Sequence, residues 1–279
     1  MMQIDSALDC EVLAQPEDAW FDWQGGLGSK HADWANHPEL LRDGFLSFSF
    51  GGFVLRGGVL GTRTVLIDCG NGPSGDDFIP PGHLIDSLEQ LGVAPEDVTD
   101  VLLTHLHYDH TGWLAVDGVP TFPRATIRCS HKDVAHFTKE DTPGRSAEVT
   151  PLLLSAIQDQ LDPFDGSCTL LPGLDALPAP GHTPGSTIFV ASEGERRVVF
   201  LGDVVHCPVQ LLEEEWAALS DVDPVLARQT RDRVIAELEG AEIAGAHFPH
   251  LALGRLVTSS RPKSWIVNGH RDKPGTATV

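Results

Sequence analysis

Thr104-His105-Leu106-His107-Tyr108-Asp109-His110 gathers three imidazoles and a carboxylate into six consecutive positions. Imidazole nitrogens combined with a carboxylate oxygen are the donor set of zinc and of similar borderline cations. The apolar run Val101-Leu102-Leu103 directly before them reads as a buried strand. A strand running out into a loop sends alternate side chains to opposite sides. His105, His107 and Asp109 are therefore expected to leave on one side together, with His110 carried round by the Thr111-Gly112 turn. Packed as neutral groups, these side chains would need several buried hydrogen-bond partners, and as solvated groups they would not follow an apolar strand. Metal binding is the chemistry that fits.

Three further stretches place a ligand type where a strand meets a loop. Pro178-Ala179-Pro180-Gly181-His182-Thr183-Pro184-Gly185-Ser186 sets His182 in a rigid turn that fixes the backbone around one side chain. Val198-Val199-Phe200-Leu201-Gly202-Asp203 is an apolar run ending in a carboxylate, and Ala244-Gly245-Ala246-His247-Phe248-Pro249 is a small-residue turn around His247. Added to the first cluster, they bring the total to five His and two Asp, the ligand count of a two-metal site.

The elements that must position these groups are mostly strands. Phe45–Leu55, a Gly-Gly turn and Thr64–Ile67 read as a hairpin that ends in Asp68-Cys69-Gly70. Thr126-Ile127-Arg128-Cys129, Leu174–Leu177, Thr187–Ala191 and Arg196–Leu201 are further short strands. Apolar spacing predicts helices over His83–Leu91, Ser146–Leu161 and Pro224–Leu238, the first stopped by Gly92 and the last by Gly240. Residues 1–44, with Trp20, Phe21, Trp23 and Trp34 among polar residues, show no clear period and read as an irregular arm with one short helix, packing on a catalytic domain over 45–260. Residues 261–279 read as a tail that frays, although Trp265-Ile266-Val267 has the composition to pack.

The chain has 279 residues, 41% hydrophobic and 21% charged, which suits a globular protein with a sizeable core. Its net charge of −21 repels phosphate backbones and anionic membranes, so a small-molecule substrate is expected, with neither nucleic acid nor membrane as partner. The opening Met1-Met2-Gln3-Ile4-Asp5 lacks the features of a secretion signal, and no apolar stretch approaches the length of a membrane span. Five scattered Cys (Cys10, Cys69, Cys129, Cys168 and Cys207) read as reduced residues, so a cytoplasmic location is expected. Cys207 stands out for its closeness to Asp203. Oligomeric state is open, and a homodimer is admitted.

The order HxHxDH, then His in PxPGHTPG, then Gly-Asp after a strand, then a late His resembles the metallo-β-lactamase superfamily across about residues 45–255. That resemblance implies an α+β fold, a four-layer αβ/βα sandwich with two metals, zinc foremost, at one edge. By the same pattern His105, His107 and His182 hold one metal, Asp109, His110 and His247 the other, and Asp203 bridges them, while Asp68 matches the family's supporting acid. Two neighbouring cations would share a hydroxide that is nucleophilic at neutral pH.

Asp203, where lactamases of the superfamily carry Cys or no ligand, disfavours antibiotic hydrolysis. His107 in place of Glu argues against the redox di-iron branch, and the acidic surface against the nuclease branch. Gly202-Asp203-Val204-Val205-His206, with Asp221-Val222-Asp223-Pro224 before a helix, resembles the branch of methyl parathion hydrolase and lactonase-like enzymes, although His206 stands where quorum-signal lactonases carry a Tyr. The expected activity is hydrolysis of a lactone, carboxylic ester or organophosphate. Asp109 is the first choice as proton carrier and His206 the second. Trp113, Phe248 and the Trp-rich arm are candidate walls of an apolar pocket. A thioester hydrolase resembling glyoxalase II and a mononuclear iron sulfur dioxygenase are the alternatives on the same scaffold.

Overall fold

Val65 and Ile67 face one side of their strand and Leu66 the other, and this alternation decides the layering of the whole molecule. A computed structural model of the chain describes residues 1–15, 21–23, 37–75, 79–139, 150–212, 216–218, 220–258 and 263–268. In it β1 (Gln3–Ala14), β2 (Phe45–Arg56), β3 (Thr64–Ile67), β4 (Asp100–Leu102) and β5 (Thr126–Arg128) lie side by side in that order, with Leu41–Arg42 paired to the start of β2. The pairs β3–β4 and β4–β5 are parallel. The second sheet runs β6 (Cys168–Leu171), β7 (Leu174–Pro178), β8 (Thr187–Glu193), β9 (Arg196–Phe200), β10 (Glu242–Ala244), β11 (Leu253–Val257) and β12 (Ser264–Val267). There only β9 and β10 are parallel.

Phe53, Leu55, Val65, Ile67 and Leu102 of the first sheet pack against Leu174, Phe189, Val198 and Phe200 of the second, with the Phe53 and Phe200 rings 5.2 Å apart. The alternate residues Val54, Leu66, Val101 and Ile127 turn outward. They meet Leu84 and Leu88 of α1 (Leu84–Gln90), and, beyond the short α2 (Tyr108–Thr111), Phe137 of α3 (His131–Phe137) and Leu153 and Leu154 of α4 (Thr150–Ala156). On the far side Ile188, Val190, Val199 and Ile243 meet Leu211 of α5 (Val209–Leu212) and Val234 and Ile235 of α6 (Pro224–Ala236). Each such side chain removed from water contributes about 1.5–3 kcal/mol. The result is helix, sheet, sheet, helix: the α+β sandwich of four layers. No helix among the described residues is long and apolar enough to cross a membrane.

Three expectations need correction. Residues 3–14, read as part of an irregular arm, form a twelve-residue strand at the edge of the first sheet, paired along its length with β2. Residues 264–267 lie in a stretch expected to fray but form the edge strand β12, where Trp265, within the segment expected to be able to pack, meets Phe248 edge-on. The helix expected over Ser146–Leu161 spans Thr150–Ala156 among the described residues, and 146–149 lie outside them. In the arm, Trp20 and Trp34 also lie outside the described residues, while the backbone of Phe21–Trp23 pairs with Trp216–Ala218.

Parallel pairing brings the ends of β3 and β4, and those of β9 and β10, to one edge of the sandwich. The loops carrying Asp68, His105, Asp203 and His247 begin there.

Candidate metal centre

Asp68 is the first residue beyond β3 and has a left-handed backbone, φ 56°. That conformation is uncommon for a residue with a Cβ, and Asp is among those that tolerate it. It turns the carboxylate toward the neighbouring loop. Asp68 Oδ1 accepts the Thr104 N–H at 2.8 Å, and Oδ2 accepts the Thr104 hydroxyl at 2.8 Å and the His110 Nδ1–H at 3.0 Å.

Because the Thr104 hydroxyl has given its proton to Asp68, it accepts from His105 Nδ1 at 3.2 Å. His182 Nδ1 donates to Asp221 at 3.0 Å, and His247 Nδ1 donates to the Ser49 carbonyl at 3.0 Å. Four rings are thus tied through Nδ1 and turn Nε2 inward, as an outer hydrogen bond fixes the tautomer of a metal-ligating imidazole. His107 is the exception, presenting Nδ1, which lies 2.9 Å from both His105 Nε2 and His182 Nε2.

The inward atoms form two sets that share Asp203. In the first, Asp203 Oδ2 is 3.3 Å from His182 Nε2 and 3.8 Å from His105 Nε2, with His107 Nδ1 completing the group. In the second, Asp203 Oδ1 is 3.2 Å from His110 Nε2 and 3.1 Å from His247 Nε2, and Asp109 Oδ2 lies 3.7 and 3.5 Å from the same two nitrogens. Ligands around a tetrahedral zinc with bonds of about 2.0–2.1 Å stand roughly 3.3 Å from one another. Both sets match that spacing. His110 Nε2 and Asp203 Oδ1 are buried and have no hydrogen-bond partner, a costly state for groups that ordinarily find one. Lone pairs turned on one another at this spacing fit a divalent cation in each set.

The electrostatics point the same way. Burial pushes the His105 imidazole well below its ordinary value; burial and the neighbouring His182 push His107 down to about 3. Both are neutral donors. Burial opposes charge on His110 and His247 too, but Asp203 and Asp109, with Asp68 for His110, outweigh it and hold both rings above the usual value. Burial would raise the Asp203 carboxyl; the imidazoles of His247, His206, His110 and His105 instead hold it well below the carboxylate range. The pocket keeps an ionised carboxylate in its centre and calls for positive charge around it.

All seven predicted ligands converge, but not as strand alternation suggested. Asp109 does not leave with His105 and His107. The turn of α2 swings it to the second set, beside His110. His206 is buried, with Nε2 3.0 Å from Asp203 Oδ2 and its ring stacked 5.9 Å from that of His247.

Trp113 and Phe248 are not pocket walls. The Trp113 indole donates to Asp9 at 2.8 Å and packs in the outer core, and Phe248 is fully buried against Trp265. Burial raises the Cys207 thiol to about 12, so it offers no thiolate. An apolar cluster does adjoin the second set: Phe50, whose ring is 4.9 Å from that of His247, with Phe48, Ile79, Cys10, Cys207 and Val209. No outer role was read from sequence for Thr104 or the Ser49 carbonyl, nor for Asp221, which entered only within the Asp221-Val222-Asp223-Pro224 segment. Asp223 is legible as the cap of α6 before Pro224, whereas nothing local marks Asp221, two residues earlier, as a partner of His182.

The model of the metallo-beta-lactamase superfamily matches residues 53–247, a span that holds all seven converging residues. Metallo-beta-lactamase domain-containing protein 1 of Mus musculus is 33% identical over 205 residues, 72% of this chain and 69% of that one. The N-acyl homoserine lactonase of Bacillus thuringiensis is 23% identical over 156 residues, 54% of this chain and 56% of that one. Among solved structures, that of AidC, a dizinc quorum-quenching lactonase in complex with a product, aligns with a TM-score of 0.80 and 22% identity over 97% of this chain and 96% of that chain.

Proposed function

This chain belongs to the metallo-beta-lactamase superfamily, and from that premise we propose that it is a binuclear metal-dependent hydrolase of ester-type bonds in small molecules: lactones, carboxylic esters or organophosphates. The observation that carries the reading is Asp203, whose two oxygens face two separate groups of imidazoles at ligand spacing. Bound in those groups, two divalent cations, zinc in this reading, would ionise water and polarise the oxygen of the bond to be broken.

The chain's own residues do the rest. Asp109 is the proton carrier: its side chain, 13% exposed, is the more accessible of the two carboxylates, and it lies within 3.7 Å of His110 and 3.5 Å of His247. His206, whose Nε2 lies 3.0 Å from Asp203 Oδ2, is placed to position that carboxylate with its other oxygen turned toward His110 and His247. The net charge of −21 favours a neutral over an anionic substrate. The lactonase likenesses support the same class. We place the protein in the cytoplasm, acting without nucleic acid or membrane and compatible with a homodimer.

Metal analysis and a substrate panel on one purified sample test this. About two equivalents of transition metal are expected, with lactone, aryl-ester or phosphotriester turnover that a chelator abolishes and added zinc restores. Full activity in metal-free protein would end the proposal. A single iron with oxygen uptake would select the dioxygenase instead.

A further inference from the structure

α3 contributes none of the seven converging residues, yet it reaches both loops that carry the imidazoles of the first set. Asp133, in its first turn, is fully buried. Its Oδ2 accepts the backbone N–H of Leu106 at 3.1 Å and the Thr183 hydroxyl at 3.0 Å, and its Oδ1 accepts the backbone N–H of Gly185 at 2.6 Å. Leu106 stands between His105 and His107, in the loop that leaves the first sheet. Thr183 and Gly185 follow His182, in the loop joining β7 to β8 of the second. One turn further along α3, the Phe137 ring meets that of His107 edge-on, with centroids 5.4 Å apart.

The chemistry of this contact asks for a carboxylate. Leu106 and Gly185 present N–H groups that can only donate, and the Thr183 hydroxyl also lies 2.8 Å from Ser186 Oγ, which in turn accepts the Thr183 N–H at 2.9 Å. If Ser186 donates to Thr183, Thr183 is free to donate to Asp133, and the polar chain runs in one direction. An ionised carboxylate is an acceptor only, with room for three donors, whereas an amide would turn an NH2 group toward one of them. Position 185 must be glycine for the same contact: a Cβ there would run into the backbone nitrogen and carboxylate of Asp133. Holding the charge is costly, since burial raises the Asp133 carboxyl to about 6 despite its three donors. An apolar side chain would fill the space without that cost, but it would not join two loops from two sheets.

We propose that Asp133 is a positioning residue for the first set: one carboxylate fixes the spacing between the His105–His107 loop and the His182 loop, and thereby the size of the three-imidazole pocket. This rests on the reading of that pocket as a metal site. Asp133 touches none of the three rings, so it acts through the backbone that presents them.

The test compares wild type, Asp133→Asn, Thr183→Val and, as a surface control, Asp162→Asn, whose exposed carboxylate pairs with Arg128. Zinc stoichiometry and stepwise affinity are read by competition with a chromophoric chelator, and site geometry by the visible spectrum of the cobalt-loaded protein. Asp133→Asn is expected to keep one tight equivalent, to weaken the other by about 10–100-fold, and to change the cobalt bands of that site alone. Thr183→Val should shift the same equivalent in the same direction by less, and Asp162→Asn should match wild type. Unchanged affinities and spectra in Asp133→Asn would overturn the inference while leaving the metal centre standing. So would equal weakening of both equivalents, which marks general loosening. If Asp133→Asn fails to fold by circular dichroism, Thr183→Val decides by the same criteria. A wild-type chain that binds no cation would end the metal reading and this inference together.

Discussion

The imidazole of His182 donates its Nδ1 proton to Asp221 across 3.0 Å, tying the turn between β7 and β8 to the segment that leads into α6. The backbone repeats the tie, with Val222 N–H on the His182 carbonyl at 3.0 Å and Asp223 N–H on the Gly181 carbonyl at 2.9 Å. Asp221→Ala removes only the side-chain link. It is expected to lower affinity for one metal equivalent by about 10–100-fold, with little change in the folded spectrum. Chelator competition measures this, and wild-type affinity in the variant would show that the backbone alone holds the ring.

Asp203→Ala removes the one side chain common to both sets. Loss of more than the roughly 100-fold that an outer partner is worth is expected in affinity for the second equivalent, together with the hydrolytic activity. Elemental analysis after gel filtration, run beside the activity assay, reads both. A variant that retains two equivalents would show that the imidazoles suffice.

Protons and cations compete for the same lone pairs. Burial notwithstanding, the carboxylates hold His110 and His247 above the ordinary imidazole value, so both rings must shed protons on loading. Metal affinity is therefore expected to rise steadily from about pH 6 to about pH 8, with protons released on binding. Calorimetry in two buffers of different ionisation enthalpy counts those protons, and pH-independent affinity would contradict this account.

Far from the centre, Asp100 is fully buried and receives Arg128 at 2.6 Å and Arg63 at 2.8 Å. Burial opposes its charge, but the Thr99 hydroxyl and the two guanidinium groups prevail and hold its carboxyl below the ordinary value of 3.8. The folded pKa lies below the unfolded one, so this stabilisation is complete above the unfolded value and is lost as pH falls through the folded one. Asp100→Asn is expected to cost about 2–4 kcal/mol at neutral pH. Denaturant melts should show the gap from wild type closing in acid, and a gap that widens there would refute the assignment.

Much of the fold was legible because its strands are short and alternate cleanly. Thr64–Ile67 was bounded as observed, and Arg196–Phe200 to within a residue. β1 escaped because Gln3–Ala14 carries Asp5, Asp9 and Glu11 in a strand. Asp9 is buried there, its carboxylate satisfied by the Asn71, Gly72 and Leu84 N–H groups and by Trp113, all distant in sequence. The ligand types announced themselves through crowding and through Pro/Gly turns. Of their supports only Asp68 was legible, through the resemblance; Asp221 stood in a quoted segment without a role, and Asp133 and the Ser49 carbonyl belong to ordinary-looking segments and gain a role only when the two sheets meet. Alternation also misplaced Asp109, because one helical turn intervenes where extended chain was assumed.

Ligands drawn from both sheets impose an order on the birth of the centre. A nascent chain exposes the His105–His110 cluster early, but His182, Asp203 and His247 emerge much later and from the opposite half of the sandwich. Until β10 has docked beside β9, the second set lacks His247, whereas the first set needs only His182 and Asp203 from the later half of the chain. On the proposed reading, loading of the second set is therefore a late event in maturation, and a stalled or truncated product ending before His247 lacks one of that set's donors.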